Sequence, residues 1–216
     1  MVFRYAIFGH NHAHTIGSSG IAELPGNDFM VTLGGWSPLS IQAVGGQQAV
    51  EAGTFMHELG HTLILRHGGT DDINCKPNYL SVMSYSRQFP NPIPTRPLNY
   101  SDSVIPSLYE RSLNEPLGIQ GPAGQETVYN QSPDAGVVGP RLIISANQAP
   151  VDWDGIDSDL DGIIDNDVSA KADINYMPGL GCGSLELFEL QGHDDWKALV
   201  YNFRGSADFA ELPWGL

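Results

Sequence analysis

Three of the seven histidines stand where they could do chemistry together. His57 and His61 are four residues apart. On an α-helix that spacing puts both imidazoles on one face, one turn apart, within reach of a single cation. Glu58 follows His57 directly but points about 100° away around the helix axis. It is therefore a poor third ligand and a suitable general base for a water activated beside the cation. The third ligand must come from elsewhere, and His67 is the candidate. On a continued helix it would lie ~15 Å along the axis from His57, too far to share the ion. The chain must turn sharply after His61 to bring it back. Zinc suits such a set of imidazoles, and the chemistry would be metal-assisted hydrolysis.

The elements that must position these groups can be read from spacing. Apolar residues recur at steps of three and four from Ala49 through Phe55 and Leu59 to Leu63, which predicts a helix beginning near Gln47 and stopped by Gly68-Gly69. Residues 3–8 and 29–33 read as short strands, with a loop between them that carries His10, His12 and His14. Those three histidines alternate, so a strand would give them one face for a second metal, but a Gly/Ser-rich loop favours ordinary polar residues. Residues 70–150 are rich in proline and poor in periodicity, which predicts irregular chain with short helical pieces. Residues 194–203 read as an amphipathic helix with acids in its first turn, and His193 belongs to its entry. The fold class expected is α+β.

The run His57-Glu58-Leu59-Gly60-His61-Thr62-Leu63-Ile64-Leu65-Arg66-His67 resembles the metzincin consensus H-E-x-x-H-x-x-G-x-x-H. Sixteen residues beyond His67 lies Met83, in Tyr79-Leu80-Ser81-Val82-Met83-Ser84-Tyr85, which resembles a metzincin Met-turn of the serralysin or pappalysin kind. Phrases around residues 19–28, 52–56 and 192–196 look like those of microbial secreted metzincin-like peptidases. The resemblance implies His57, His61 and His67 as zinc ligands, Glu58 as base and Met83 as an apolar floor under the site. It implies for Tyr85 either zinc binding or support of the tetrahedral intermediate. It also implies one metzincin-like domain over 1–216. In that domain, 1–67 would form a partial upper half of small mixed sheet and active-site helix. Residues 68–216 would form an irregular lower half ending in a helix. The start of the chain is shorter than the family's usual upper half, so that half is expected to be incomplete.

One departure matters. The consensus glycine is Ile64 here. A residue without Cβ is cheapest where a helix ends in a left-handed turn, and a β-branched one there is an outlier. Either the turn is made differently or the site is impaired. The two resulting functional expectations differ in class. One is a zinc endopeptidase acting on a protein or peptide substrate, with the strand at 29–33 as cleft edge and residues through Arg87 and Phe89 as pocket wall. The other is a catalytically silent, calcium-stabilised extracellular binding module.

Calcium enters through the acidic run at 152–167. Asp157-Ser158-Asp159-Leu160-Asp161-Gly162 has the D-x-D-x-D-G opening of a calcium loop; Asp157, Asp159, Asp161 and Asp165 are its candidate ligands, and Asp152, Asp154 and Asp167 extend the set. Position 12 would be Val168 rather than Glu, which argues against an EF-hand. Asp71, Asp72 and Asn74 offer similar oxygens but read as a turn. Cys75 and Cys182 allow one disulfide, two thiols or metal ligation, and the absence of a C-x-x-C pair argues against a cysteine zinc site. A disulfide would fit an extracellular protein.

Composition limits the partners. The chain is 41% hydrophobic and 16% charged, enough apolar content to fold. A net charge of −15 disfavours nucleic acid and anionic membrane surfaces. No stretch approaches the ~18 apolar residues of a membrane span. No signal-peptide pattern opens the chain, which suggests a matured or partial form.

Overall fold

The computed structural model describes residues 3–13, 17–157, 160–162, 166–183 and 185–202. Its architecture is mixed, with small sheets and few helices, as an α+β reading requires. Strands β1 (Tyr5–Gly9), β2 (Gly20–Ala22) and β3 (Asp28–Thr32) form a sheet of order β1-β3-β2. β1 runs parallel to β3 with Tyr5 opposite Asp28, and β2 runs antiparallel with Gly20 opposite Val31. The strand expected at 29–33 is thus central, not an edge. The edge on the functional side is β2, a strand too short to be read within its Gly/Ser-rich surroundings.

Two helices follow. Helix α1 (Pro38–Ala43) is capped by Ser37, whose side chain accepts the Ser40 N–H, with Pro38 opening the first turn. Helix α2 (Gln47–Thr62) begins where the periodicity places it. It packs on the sheet through Phe55, whose ring lies edge-on to Phe29 at 5.0 Å and stacks with Phe8 at 6.2 Å. Val50, Gly53, Thr54, His57, Glu58, Gly60 and Thr62 form its buried side.

The remainder is loop-rich but less irregular than its prolines suggest. After the one-turn helix α3 (Tyr85–Gln88) come β4 (Leu108–Tyr109), the antiparallel pair β5 (Glu126–Asn130) and β6 (Arg141–Ser145), and β7 (Glu189–Leu190), which pairs with β4. The main core fills this half, around Trp153, Leu113, Ile119, Tyr129, Ile174 and Leu190. A smaller cluster of Leu65, Tyr79, Val82, Met83 and Tyr100 lies under α2. Cys75 and Cys182 form a disulfide, with Cα atoms 5.9 Å apart. It ties the 3-10 turn Pro178–Leu180 to the segment preceding α3. The helix expected over 194–203 is helical only at α4 (Asp195–Ala198), capped by Asp194 accepting the Lys197 N–H; Leu199–Asn202 are not helical, and residue 203 lies outside the described residues. No helix among the described residues is long and apolar enough to cross a membrane.

Candidate metal centre

The end of α2 decides whether His67 can reach its partners. Ile64 N–H bonds to the His61 carbonyl at 2.9 Å, and Leu65 N–H reaches back to the Gly60 carbonyl at 3.0 Å. These two bonds make a Schellman stop with Ile64 at the left-handed position, φ 85°. The turn is therefore made where the consensus glycine would make it, by a β-branched residue whose side chain is exposed, at a strain of order 1–3 kcal/mol. Leu65, next along, is buried in the cluster under α2 and anchors the reversal. A tight turn closed by Arg66 and Gly69 then carries His67 back to the helix.

His57, His61 and His67 each offer a ring nitrogen, and the three atoms lie within 4.8 Å of one another. His57 Nδ1–H donates to the Val82 carbonyl at 3.0 Å, and His61 Nδ1–H donates to the Leu65 carbonyl at 2.8 Å. Carbonyls only accept, so both Nε2 atoms are left bare. They face each other at 3.2 Å. Two lone pairs at that distance repel unless something positive sits between them. With metal–nitrogen bonds of about 2.0–2.1 Å, a tetrahedral ion would hold two ligand nitrogens ~3.3 Å apart. The donor set fits a metal ion without rearrangement of this pair.

Electrostatics agree. Burial, reinforced by the neighbouring imidazoles, holds His57 well below the usual imidazole range. Burial likewise lowers His61, and burial with the His61 ring pushes His67 down to about 4. All three are neutral at pH 7, the form that ligates. Beside them the Glu58 carboxyl is buried, and desolvation pushes it up to about 8. Without a cation the carboxyl therefore keeps its proton at pH 7; a positive charge held by the neighbouring imidazoles would favour the carboxylate, the form that can take a proton.

Below and beside the cluster stand the residues of the 79–85 turn. Met83 is fully buried, and its sulfur lies so close to Gly60 that a Cβ there would be 2.3 Å from it. The Tyr85 ring lies 4.7 Å from that of His67 and 5.6 Å from that of His57. Burial, with the Glu58 charge, raises its phenol, so the hydroxyl stays a donor. Its backbone N–H is held by Asn74 Oδ1 at 2.9 Å. Asp71 and Asp72 are taken up by Lys76 and Arg66, so the 71–74 segment is a structural turn.

These groups open into a cleft of about 500 Å³. One wall is Gly17–Ala22, including all of β2; others are Trp36, Val44, Gln88, Phe89 and Leu180. Trp36 meets Phe89 edge-on at 5.6 Å. Among the described residues lining it, Glu58 is the one carboxylate, and none is Lys or Arg. Arg87, expected in the wall, instead turns inward: it is 1% exposed and donates to the Glu126 carbonyl and Gln125 Oε1.

Two of the four expected calcium ligands lie among the described residues, and both are hydrogen-bonded within the acidic loop. Asp157 Oδ2 accepts the Gly162 N–H, and Asp161 Oδ2 accepts from Asn166; Asp159 and Asp165 lie outside the described residues. The acids that do converge among the described residues are Glu115, Asp152 and Asp154. Glu115 is fully buried and accepts the N–H groups of Trp153 and Asp167, so it staples the loop to the core. Its sequence separation of 37 from Asp152 left no local signal of this role. His14 lies outside the described residues, and His10 and His12 join no metal-binding group among those described. His193 packs against Gly69, away from the cleft lining.

No protein-family model, curated protein or solved structure matches the chain.

Proposed function

We propose that this protein is a zinc-dependent endopeptidase on a metzincin-like plan. The observation that carries the reading is the convergence of three neutral imidazoles beside a buried carboxylate in a cleft walled by an edge strand. A zinc ion held by His57, His61 and His67 would supply Lewis acidity towards a peptide carbonyl and towards water. The protein's own groups do the rest. The cleft face of β2 is a template for an extended peptide, which would add to the sheet edge as a further strand. The Glu58 carboxylate takes a proton from the attacking water and delivers it to the leaving nitrogen. The Tyr85 hydroxyl donates to the oxygen that gains charge. Trp36, Val44 and Phe89 receive a large apolar side chain next to the scissile bond; a charged one would be desolvated there without a partner. The disulfide fits an oxidising, extracellular setting.

The silent-module alternative draws on Ile64 and on the short upper half; the Ile64 ground is weakened, because Ile64 makes the turn and His67 reaches the other two histidines. Turnover of a quenched-fluorescence peptide library by the zinc-loaded protein tests the proposal. Cleavage abolished by a chelator and restored by zinc is expected; a zinc-loaded protein that cleaves no peptide favours the silent module.

A further inference from the structure

Asp195, the first residue of α4, is a fully buried carboxylate that no step above uses. Burying a carboxylate is expensive unless its oxygens are hydrogen-bonded. Here Oδ1 accepts from the Tyr79 hydroxyl at 2.8 Å, and Oδ2 accepts from the Ser81 hydroxyl at 2.5 Å and the Ser101 N–H at 3.1 Å. His193 Nε2 stands 3.9 Å from Oδ1. The partners come from the segment under α2, more than 90 residues earlier, so a C-terminal residue grips the floor of the metal centre.

The grip leads to a ligand. The Ser81 hydroxyl that donates to Asp195 also accepts the Met83 N–H at 3.1 Å. Between them sits Val82, whose carbonyl accepts from His57 Nδ1 at 3.0 Å. The orientation of the Val82 carbonyl sets the rotation of the His57 ring and keeps its Nε2 bare. Met83, held by the same serine, is the residue packed against Gly60. Two backbone bonds, Val82 N–H to Asn99 and Ser84 N–H to Ser81, keep the turn folded without Asp195 but do not fix the serine hydroxyl.

We propose that Asp195 is a positioning residue of the metal centre, acting through Ser81 on the Val82 carbonyl and so on His57. The inference rests on the three-histidine metal reading. It assigns a role to the acidic pair in Gly192-His193-Asp194-Asp195-Trp196: Asp194 caps α4, and Asp195 holds the site.

The test compares three variants of the full chain. Ser81→Ala breaks the route and leaves Asp195 its other donors. Asp195→Ala removes the anchor. Tyr79→Phe removes a bond to Asp195 that is off the route and serves as the stability control. Zinc affinity by competition with a chromophoric chelator, and the visible spectrum of the cobalt-substituted protein, are the readouts; a lowered Tm alone moves neither. Ser81→Ala and Asp195→Ala are expected to weaken zinc by at least about tenfold and to alter the cobalt spectrum, the size of effect seen when a ligand's supporting partner is lost. Tyr79→Phe is expected to lower Tm with zinc affinity within about threefold of the parent. Should Asp195→Ala not fold, Ser81→Ala decides. Parent-like affinity and spectrum in Ser81→Ala would overturn the proposal, as would an equal loss in Tyr79→Phe. A parent protein that binds no zinc at all overturns the metal reading itself, a separate result visible before any variant is made.

Discussion

Gly20 is where the cleft edge meets Glu58, the proposed base, and replacing it with alanine perturbs that meeting directly. β2 crosses α2 so closely that a Cβ on Gly20 would lie 2.6 Å from Glu58 Cγ, 2.6 Å from Thr54 Cγ2 and 2.7 Å from Glu58 Oε1. Carbon atoms settle about 3.5–4.0 Å apart, so something must yield by roughly 1 Å. Thr54 is fully buried on α2 and has little room to move. Either the Glu58 side chain swings away or β2 lifts from the helix. Both displace the carboxylate relative to the bound peptide. A misplacement of that size is enough for a loss of about 10²-fold. Overpacking should also cost about 1–3 kcal/mol of stability. None of the three nearest atoms belongs to a histidine, so the metal should stay. The assay pairs kcat/KM on a fluorogenic peptide with zinc analysis of the same sample. Gly20→Ala is expected to keep one zinc per chain and lose at least about 10²-fold in kcat/KM. Parent-like turnover in the folded variant would refute the claim that Glu58 under β2 is the working base, and loss of zinc would mean that the edge supports the ligands instead.

Three further outcomes are expected. Burial lowers all three histidines, His67 to about 4, so the folded state binds fewer protons than unfolded histidines near 6.5. The stability they contribute is full above ~6.5 and is lost as pH falls towards 4, and ligation follows the same window. Equilibrium dialysis should find zinc retained from pH 7 to about 5 and released near 4; release already at 6.5 would contradict the burial argument. Joining Cys75 to Cys182, 107 residues apart, restrains a long loop of the unfolded chain, worth ~4–5 kcal/mol by the chain-entropy estimate. Cys182→Ser should therefore lower unfolding free energy in denaturant by several kcal/mol, and a change under about 1 would show that the link adds little. Finally, peptides with Phe or Leu beside the cleaved bond should outrun those with Lys or Glu by at least about tenfold, measured by sequencing library products, given the uncharged Trp36–Val44–Phe89 wall.

The three-histidine cluster was more legible in sequence than the scaffold around it. His57, Glu58 and His61 depend only on helical periodicity, a local property. The reversal at Ile64 was legible as a demand: three histidines serving one ion would leave the chain no other route, and the turn is made despite the poor fit of isoleucine to φ 85°. What escaped depends on distant partners. β2 is three residues long and exists because β3 pairs with it. Of the pair β5 and β6 only β6 alternates in burial, β5 is covered on both faces, and both lie among prolines and glycines. Arg87 looked like a wall residue by position, yet its acceptors at residues 125 and 126 draw it inward. At Asp195 the sequence showed a first-turn acid, while its real partners, Tyr79, Ser81 and Ser101, lie about a hundred residues away.

The central claim is that three imidazoles and one carboxylate make a metal-dependent peptidase. It is tested most directly by kcat/KM of zinc-loaded Glu58→Gln beside the zinc-loaded parent, on the peptide the parent cleaves best. Glutamine preserves the size of the side chain and removes its ability to take a proton. The expected result is full zinc occupancy in both proteins and a fall of about 10²–10⁴-fold in the variant. Undiminished cleavage by Glu58→Gln at full zinc occupancy would contradict the account.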